Sequence, residues 1–480
     1  MKKPNVQMNV VLSTLYQILT MVTPLITAPY TARVLGAACV GINSYTNSVQ
    51  AYFLLIAALG TYTYGTREIA RNRDDRKRRS VLFWEIELLK AVATAVCLLG
   101  WGLVIAGGGE NRIFYTILTI NLVAIIFDVS WFFAGVERFD YTVSINTLLK
   151  VLTIAGIFLF VKTPDHLPRF MLIFAVGTLL GNLSMWVFLP QYVDKPDWKN
   201  LRIWRHFKNT LIYFVPTIAT TVYTVLDKTL IGLITHSNEQ NGYYEQATKI
   251  INLAKSVAFV AINNVLTSRM SYLYAEQKTE EIKKQKTFSM EYITFMCVGL
   301  TFGIWAVAPR FVAAFFGPEY APVVPLLRIF SPIILIIGIS NCIASHYFVP
   351  TGLQKQNATF LIVGASVNLV LNMVMIPTLG GWGAAAASVA AELVITVLYL
   401  TYGKAFITVG ETLGILWKKL AAAAAMVGVI CLMDSLFTRP VIATACEVAA
   451  GVAAYCLVLL ILRDRSLTIV LDIVKKKIKR

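Results

Sequence analysis

The chain has 480 residues, of which 57% are hydrophobic and 14% charged, with a net charge of +17 and a mean hydropathy of +0.66. Soluble domains usually carry about 25% charged residues, so this composition excludes an ordinary soluble protein. The positive charge alone is also typical of nucleic-acid binding. However, no polar segment is long enough to form such a domain, and we attribute the charge to helix ends that face anionic lipid.

Fourteen hydrophobic stretches are long enough to cross a bilayer as helices, which requires about 20 apolar residues each. In chain order they lie near residues 8–32, 41–66, 81–106, 112–136, 142–161, 169–190, 209–235, 242–270, 287–308, 323–349, 356–377, 382–402, 414–436 and 440–462. The sequence therefore predicts an all-α integral membrane protein with 14 transmembrane helices.

The links between these stretches alternate in positive charge. Lys and Arg are abundant near 67–80, 191–208, 273–286, 403–419 and 463–480, and they are absent near 34–40, 107–111, 236–241 and 378–382. Because basic links remain in the cytoplasm, the pattern predicts that both termini are cytoplasmic. The first stretch lacks a small-residue cleavage site, so we interpret it as an anchor rather than a signal peptide.

The link between the sixth and seventh spans alternates apolar and basic residues. Within 196–208, apolar residues recur every three positions and basic residues lie between them: Trp198, Leu201, Trp204 and Phe207 against Lys199, Arg202, Arg205 and Lys208. This pattern predicts an amphipathic helix in the membrane interface. The predicted domains are an N-lobe of spans 1–6 (1–190), a cytoplasmic amphipathic linker (191–208), a C-lobe of spans 7–12 (209–402), and spans 13–14 with a basic cytoplasmic tail (403–480).

A short repeat links the two lobes. Gly135-Val136-Glu137-Arg138 follows the fourth span, and Gly352-Leu353-Gln354-Lys355 follows the tenth, on the same side of the membrane. Four loosely matched positions can arise by chance, but an offset of six spans also preserves orientation. The sequence thus predicts two pseudo-symmetric six-helix lobes followed by two further helices. Transporters built in this way bind substrate between their halves, near the midplane.

Polar residues inside spans are costly, so their placement is informative. They form stripes spaced by three and four residues on the first two spans of each lobe. The residues predicted to line a cavity are Arg33, Asn43, Asn47, Arg67, Asp227, Lys228, Glu245, Lys249, Asn252, Lys255 and Arg269. Hydrogen bonding between dry helices accounts for Ser, Thr and some Asn, but it accounts less well for Lys, which costs about 2.5–3.5 kcal/mol at a helix centre. The stripes therefore predict a hydrated, net-positive cavity between the lobes, suited to an anionic group such as phosphate.

Other charged residues lie apart from these stripes. Asp128 and Glu392 are isolated carboxylates within spans, and together with Asp227 and Glu245 they are candidates for ion coupling. Charges near the end of the third span (Glu85, Glu87 and Lys90) are expected to snorkel or to pair locally. The cysteines and histidines show no metal-ligand spacing, and no GxxxxGK[ST] loop occurs. The sequence therefore predicts no catalytic residues, no metal, no cofactor and no enzymatic activity.

Six stretches resemble polysaccharide-repeat-unit flippases, the Wzx-like branch of the exporter superfamily that also holds multidrug-extruding and lipid II transporters. They are PYTARVLG (29–36), YGTREIA (64–70), FDVSWFF (127–133), YTVLDKT (223–229), GYYEQA (242–247) and GISN (338–341). The resemblance implies two six-helix lobes, similar to those of multidrug transporters, around a cavity open to alternate sides. Two extra C-terminal helices occur in some members of the family.

The resemblance also implies a function. Family members translocate undecaprenyl-pyrophosphate-linked oligosaccharides across the bacterial cytoplasmic membrane for surface polysaccharides such as O-antigen, capsule or exopolysaccharide. By position, Arg33, Lys228, Lys249 and Arg269 match the cationic cavity residues of such proteins. The implied partners are the lipid-linked oligosaccharide, membrane lipid, a polysaccharide polymerase and glycosyltransferases, and no nucleic acid.

Three alternatives remain open at this point. A lipid II flippase has the same chemistry with a different sugar. A multidrug or cation antiporter of the same fold favours a net acidic cavity, which is the opposite of the charge found here. A scaffold without transport favours dry span interiors, and the charged stripe at Glu245, Lys249 and Lys255 argues against it.

Overall fold

The computed structural model describes residues 6–433 and 440–469. Within these ranges the side chains at 6–18, 139–142, 215, 216, 219, 220, 222, 223, 261, 264 and 440 are not described. Most of the predicted basic tail, 470–480, lies outside the described residues.

Every regular element in the described part of the chain is helical. The helices are α1 Val6–Ala58, α2 Thr61–Arg71, α3 Arg76–Ala106, α4 Arg112–Ile126, α5 Ser130–Gly135, α6 Phe139–Phe160, α7 Leu167–Trp186, α8 Phe207–Thr235, α9 Asn238–Lys255, α10 Ala261–Ala275, α11 Thr279–Phe315, α12 Val323–Phe330, α13 Pro332–Ile343, α14 Gln354–Leu379, α15 Gly381–Tyr402, α16 Val409–Met433 and α17 Pro440–Ile461. Twelve helical segments among these residues are long and apolar enough to cross a membrane. The all-α membrane class is confirmed, and the number of 14 helices stays a prediction.

The chain divides into two compact units, Met1–Gly232 and Leu233–Arg480. The first unit contains α1 to α7 and most of α8, and the second contains the end of α8 and all later helices. The lobe and linker boundaries drawn from the sequence, and the pseudo-symmetry of the lobes, stay predictions.

Helix α1 contains two predicted spans joined at one residue. The sequence predicted a link over 34–40, but the helix is interrupted only at Gly36, whose φ of 76° and ψ of 170° are not helical. A second interruption at Leu59 and Gly60, both with positive φ, ends α1 inside the predicted span 41–66. The sequence on both sides of Gly36 is apolar apart from Arg33, so hydropathy carries no signal for that break, whereas the apolar run does end at Gly60.

The predicted fourth span is also divided, because α4 ends at Ile126 and α5 begins at Ser130. Asp128 lies in this gap, where its Oδ1 accepts a hydrogen bond from the Ser130 amide at 3.0 Å and its carbonyl accepts one from Lys90 Nζ at 2.6 Å. Lys90 Nζ also lies 2.9 Å from Glu87 Oε2, and both side chains are buried. Glu87 and Lys90 are therefore paired locally, as expected, but they are buried rather than snorkelling.

The amphipathic helix predicted over 196–208 is wrong. Within this segment Ile203–His206 forms a single 3-10 turn and α8 begins at Phe207, whereas residues 196–202 form turns and irregular chain. The physical reason is Glu85, whose Oε1 accepts the Arg202 amide at 2.6 Å, a donor that a helix would use internally. Trp198 and Trp204 are 67% and 64% exposed, and the predicted position of this segment in the membrane interface stays a prediction.

Glu85 also holds the end of this segment. Its Oε2 accepts a hydrogen bond from Arg205 and lies 2.8 Å from His206 Nε2, while His206 Nδ1 lies 2.7 Å from the Tyr64 hydroxyl. The carboxylate thus connects α3 to the start of α8, and the buried imidazole extends the connection to α2.

Replacing Glu85 with Gln is expected to lower the free energy of unfolding by about 2 kcal/mol. The charge-assisted bonds from Arg205 and His206 weaken, and hydrogen bonds to charged groups contribute about 1.5–3 kcal/mol each; half of Arg205 is exposed to solvent, which reduces its share. Titration with dodecyl sulfate in mixed micelles measures the loss. Glu110→Gln, at an exposed 3-10 turn, is the matched control and should leave the free energy unchanged. Equal stability of both variants would contradict the role of Glu85.

Aromatic packing in the first unit supports α2 and α5. Phe83 stacks on Trp131 with ring centroids 5.6 Å apart and meets Phe132 edge-on at 5.2 Å. The Thr66 hydroxyl donates to the Trp131 carbonyl at 3.0 Å. Two stretches that carry the family resemblance, 64–70 and 127–133, therefore pack directly on each other, and this packing fixes the helix that bears Arg67.

Buried ion pairs in the second unit fix the last two helices to α11. Lys419 Nζ lies 2.6 Å from Glu291 Oε2 and 3.4 Å from Asp464 Oδ2, and the lysine is fully buried. Further along α11, Arg310 pairs with Glu447 at 2.9 Å. Helices α16 and α17 are thus an integral part of this unit.

The two turns singled out as a sequence repeat share a local geometry. The Arg138 amide donates to the Phe133 carbonyl at 2.9 Å, and the Leu353 amide donates to the Phe348 carbonyl at 2.8 Å. In each turn the preceding residue, Glu137 or Gly352, has a positive φ and ends a helix. In this local geometry Glu137 corresponds to Gly352, two residues away from the register of the sequence repeat, and the repeat itself stays a prediction.

Candidate functional site

The first group of predicted site residues lies on α1, on either side of Gly36. Arg33 is exposed and precedes Gly36 by three residues. Beyond Gly36, Asn47 Nδ2 donates to the carbonyl of Asn43 at 2.7 Å and to its Oδ1 at 2.9 Å. The spacing of four residues therefore places both amides on one face, as the sequence predicted.

Helix α8 approaches this second half of α1 near Lys228. The Thr229 hydroxyl donates to Ser48 Oγ at 2.9 Å and lies 3.1 Å from the Tyr52 hydroxyl. Asp227 is buried and Lys228 is half-buried. The hydroxyl contacts fix the position of Asp227 and Lys228 along α1, on a face of that helix roughly opposite to the one that carries the two asparagines.

Arg67 is fixed separately, on α2. Its guanidinium donates to the hydroxyl of Tyr213 on α8, and the side chain is exposed. The neutral phenol leaves the positive charge of Arg67 uncompensated at this contact. The arginine is therefore positioned by a group that would not repel an anionic ligand.

The stripe predicted on the eighth span is present on α9. Lys249 Nζ lies 3.3 Å from Glu245 Oε1, with the lysine 32% and the glutamate 14% exposed. Asn252 continues the same face and is exposed. Because the pair is partly accessible, its Lys can exchange a carboxylate for another anion at modest cost.

Lys255 is the last residue of α9 and is half-buried. The residue after it begins a single π-helical turn, Ser256–Val260, which no sequence pattern predicts. Lys255 interacts electrostatically with Glu392 of α15, which is 8% exposed. A buried carboxylate beside a half-buried lysine explains how both charges are tolerated inside a span.

Arg269 lies near the connection between α10 and α11. Its Nη2 lies 2.7 Å from Glu281 Oε2, and its guanidinium stands 5.5 Å from the ring centroid of Tyr272. Both charged side chains are about half exposed. The structure groups Arg269 with the basic link 273–286 rather than with the α9 stripe.

Four lysines within predicted spans were not considered as site residues: Lys90, Lys150, Lys418 and Lys419. Lys90 and Lys419 are buried in ion pairs, whereas Lys150 lines an open groove between α6 and α7. The sequence signal that could have identified these residues is a lysine inside an apolar stretch, because a charge within a span is costly unless an ionic partner or water accompanies it.

The arrangement is suited to binding rather than to catalysis. Lys228, Lys249 and Arg67 present cationic donors at accessible positions in two separate units. Among the described residues, no group of three or more His, Cys, Asp and Glu side chains could hold a metal ion. The chemistry offered is the electrostatic binding of anions and hydrogen bonding to polar groups.

The sequence was compared with known families and proteins. Residues 6–274 match the family described as polysaccharide biosynthesis protein. The chain is 21% identical over 411 residues to a putative O-antigen transporter of Escherichia coli (strain K12), covering 83% of this chain and 97% of that protein. It is 24% identical over 285 residues to the probable low-salt glycan biosynthesis flippase Agl15 of Haloferax volcanii, covering 57% of each chain.

Solved structures share the fold at low sequence identity. The inward closed conformation of the lipid II flippase MurJ has a TM-score of 0.75 at 16% identity, covering 95% of this chain and 99% of that one. An inward-facing multidrug resistance MATE family transporter has a TM-score of 0.65 at 15% identity, covering 82% and 95% of the two chains. These similarities establish the fold. The substrate has to be inferred from the chemistry of the site.

Proposed function

The chain belongs to the family of polysaccharide biosynthesis proteins, and from this premise we propose that it moves lipid-linked oligosaccharides from the inner to the outer leaflet of the bacterial cytoplasmic membrane. The family resemblance predicted from the sequence is thereby confirmed. The proposed cargo is an oligosaccharide repeat unit on undecaprenyl pyrophosphate, destined for a surface polysaccharide such as O-antigen or capsule. We also propose that both termini lie in the cytoplasm, which the alternating charge of the links supports.

The observation that carries the proposal is the accessible pair of Lys249 and Glu245 inside a predicted span. A structural ion pair in this position would be buried, as Lys419 is in the same unit. An accessible lysine at this depth instead fits a hydrated path through which a charged headgroup passes. Lys228 and Arg33 supply further positive charge in the first unit.

The proposed mechanism needs no covalent chemistry. The lipid tail stays in the bilayer while the sugars and the pyrophosphate enter the hydrated cavity predicted from the sequence. Arg33, Lys228 and Lys249 replace the water that the phosphates lose, because ammonium and guanidinium groups form charge-assisted hydrogen bonds with phosphate oxygens. Alternating access then exposes the headgroup to the other side of the membrane.

Four carboxylates are proposed as candidates for coupling to an ion gradient: Asp128, Asp227, Glu245 and Glu392. Asp227 and Glu392 are buried, as expected of groups that exchange a proton or bind a cation. Asp128 also caps the break before α5, which gives this residue a structural reason to be present. A proton gradient, a sodium gradient and the membrane potential each remain compatible with this set.

The alternatives from the sequence have less support. A lipid II flippase shares the fold and the diphosphate chemistry, and differs in the sugar alone. A multidrug antiporter would favour acidic groups where Lys228, Lys249 and Arg67 present positive charge. The relatives matched by sequence are named for O-antigen transport and glycan biosynthesis, which favours a polysaccharide precursor.

Deleting the gene is expected to trap a lipid-linked repeat unit on the inner leaflet. The precursor is still synthesised there but cannot reach the outer leaflet, so the surface polysaccharide is lost. Mass spectrometry of extracted lipids identifies the trapped glycan, and a membrane-impermeant periodate treatment of spheroplasts reports its leaflet. Restoring the gene on a plasmid should reverse both effects. A deletion strain with normal surface polysaccharide and no trapped precursor would refute the proposed function.

A further inference from the structure

A polar groove lies between α6 and α7, entirely within the first unit. It is lined by Asn146, Leu149, Lys150, Thr153, Phe174, Gly177, Thr178, Gly181 and Asn182 and encloses about 250 Å3. Its polar residues sit midway along α6, among apolar residues of a predicted span. The groove shares no residue with the site described above.

The groove forms because α7 presents two glycines, Gly177 and Gly181, to larger polar side chains on α6. On α6, Asn146, Lys150 and Thr153 recur at spacings of four and three, so they lie on one face. Facing them on α7 are Gly177 and Gly181, and a Cβ atom added at Gly181 would stand 3.2 Å from Asn146 Oδ1. The absence of side chains at these glycines leaves the space that the polar groups line.

Most of the exposed apolar side chains of both helices lie away from the groove. On α6, Leu148, Leu152 and Leu159 are exposed on the side opposite to Asn146 and Lys150, whereas the exposed Phe160 lies at the C-terminal end of the helix. On α7, the exposed Val176, Leu180 and Leu183 are rotated by roughly a third of a turn from Gly177 and Gly181. The polar groups therefore lie on a different face from most of the exposed apolar side chains.

The groove contains one cationic side chain, Lys150, and its other polar side chains are neutral. Lys150 Nζ donates to the hydroxyl of Thr20 on α1 at 3.0 Å. The Thr178 hydroxyl donates to the Phe174 carbonyl at 3.0 Å, and Asn182 Nδ2 donates to the Ala124 carbonyl at 2.8 Å. These bonds fix the orientation of both side chains while their oxygens keep the capacity to accept hydrogen bonds.

We propose that this groove binds the sugar residue next to the pyrophosphate of the lipid-linked substrate. Lys150 contacts the adjacent phosphate, and Asn146, Thr153 and Asn182 contact the ring hydroxyls, because amide and hydroxyl groups both donate and accept hydrogen bonds. Sites for drug-sized ligands enclose roughly 300–1,000 Å3, so a groove of about 250 Å3 suits one sugar ring rather than a whole repeat unit. The inference rests on the proposed function and adds a sugar-binding site to it.

Binding of two probes to the full-length protein tests the groove. The probes are undecaprenyl pyrophosphate and the same lipid carrying one N-acetylglucosamine, with affinities measured by native mass spectrometry in detergent. Lys150→Gln should weaken both probes about tenfold or more, since a hydrogen bond to a charged group is worth at least one factor of ten. Asn146→Ala should weaken the sugar-bearing probe alone. Lys162→Gln, just beyond the end of α6, is the matched control and should bind both probes like the wild type.

The outcomes of this experiment distinguish a failure of the sugar-binding proposal from a failure of the proposed flippase function. Wild-type affinity of both Lys150→Gln and Asn146→Ala would overturn the groove and leave the flippase proposal intact. Failure of the wild-type protein to bind either probe would overturn both. Lys150→Arg keeps the charge and should retain most of the affinity, so a loss of binding in Lys150→Gln together with retention in Lys150→Arg excludes misfolding as the cause.

Accessibility provides a second readout. Thr178→Cys, in a chain whose seven natural cysteines are replaced, should react with water-soluble methanethiosulfonates, and faster with the anionic reagent than with the cationic one because Lys150 is near. The sugar-bearing probe should slow the reaction. A cysteine at 178 that is inert to both reagents would show a dry groove and overturn the inference.

Discussion

Replacing both Lys228 and Lys249 with Ala abolishes export while the protein remains in the membrane at its normal level. Each lysine is expected to bind phosphate oxygens, and a hydrogen bond to a charged group contributes about 1.5–3 kcal/mol. If the two losses add, affinity for the headgroup falls by at least about 100-fold. Surface polysaccharide and the trapped precursor report export, and immunoblotting of membranes reports the amount of protein.

The structure adds a second effect to the loss of Lys249. Glu245, 3.3 Å from the ammonium group, would then lose this neighbouring cation and present its negative charge to the phosphate. A variant that combines Lys249→Ala with Glu245→Gln separates the two effects, and it should remain defective. Full recovery of export in that variant would assign the defect to Glu245 and contradict phosphate binding by Lys249.

The matched control for this experiment replaces two exposed lysines outside the predicted spans, Lys199 and Lys404, with Ala. The control removes the same net charge and should leave export unchanged. If the control pair lost export as fully as the Lys228 and Lys249 pair, the effect would follow overall charge rather than a binding site.

Lys419→Ala is expected to lower the free energy of unfolding by about 3–5 kcal/mol. The substitution leaves the carboxylates of Glu291 and Asp464 buried without their shared cation, and removing one partner of a buried ion pair costs about this much. Titration with dodecyl sulfate in mixed micelles measures the loss, and Lys404→Ala at an exposed position is the control.

A compensated variant tests the electrostatic reason. Lys419→Met combined with Glu291→Gln and Asp464→Asn removes all three charges, and uncharged replacements of buried ion pairs are often neutral in stability. This variant should recover most of the stability lost in Lys419→Ala. If the triple variant were no more stable than Lys419→Ala, side-chain packing would outweigh charge at this position.

The sequence predicted the spans that end at backbone breakers. The predicted stretches 81–106, 356–377 and 382–402 agree with α3, α14 and α15 to within five residues at each end. Their apolar runs end at glycine or at charged residues, where the transfer free energy changes sign. The hydropathy signal is an average over about 20 residues, so it locates whole membrane-spanning helices well.

The same averaging missed features that depend on one residue or on packing. Gly36, the break at Asp128 and the π-helical turns Ser256–Val260 and Ala344–Phe348 leave the apolar pattern unchanged. The segment before α8 has an amphipathic pattern, yet Glu85 captures a backbone donor and prevents the helix.

The candidate site was predictable in part. Spacing alone placed Asn43 with Asn47 and Glu245 with Lys249, because helical periodicity relates residues that are close in sequence. Contacts across long separations, such as Lys419 with Glu291 or Lys150 with Thr20, depend on which helices pack together. A single sequence contains no direct record of that choice.

The interruption of α1 at Gly36 has a mechanical consequence. A continuous helix stores elastic energy when it bends, because many backbone hydrogen bonds deform together. Here the two halves meet at one residue, and nothing lies within 4 Å of the space that a Cβ atom would occupy. A change of angle between the halves is therefore confined to the torsions of a glycine, which is the least restricted residue. The helical segment that carries Arg33 and the segment that carries Asn43 and Asn47 are therefore joined by a hinge at Gly36 that stores little elastic energy when the angle between them changes.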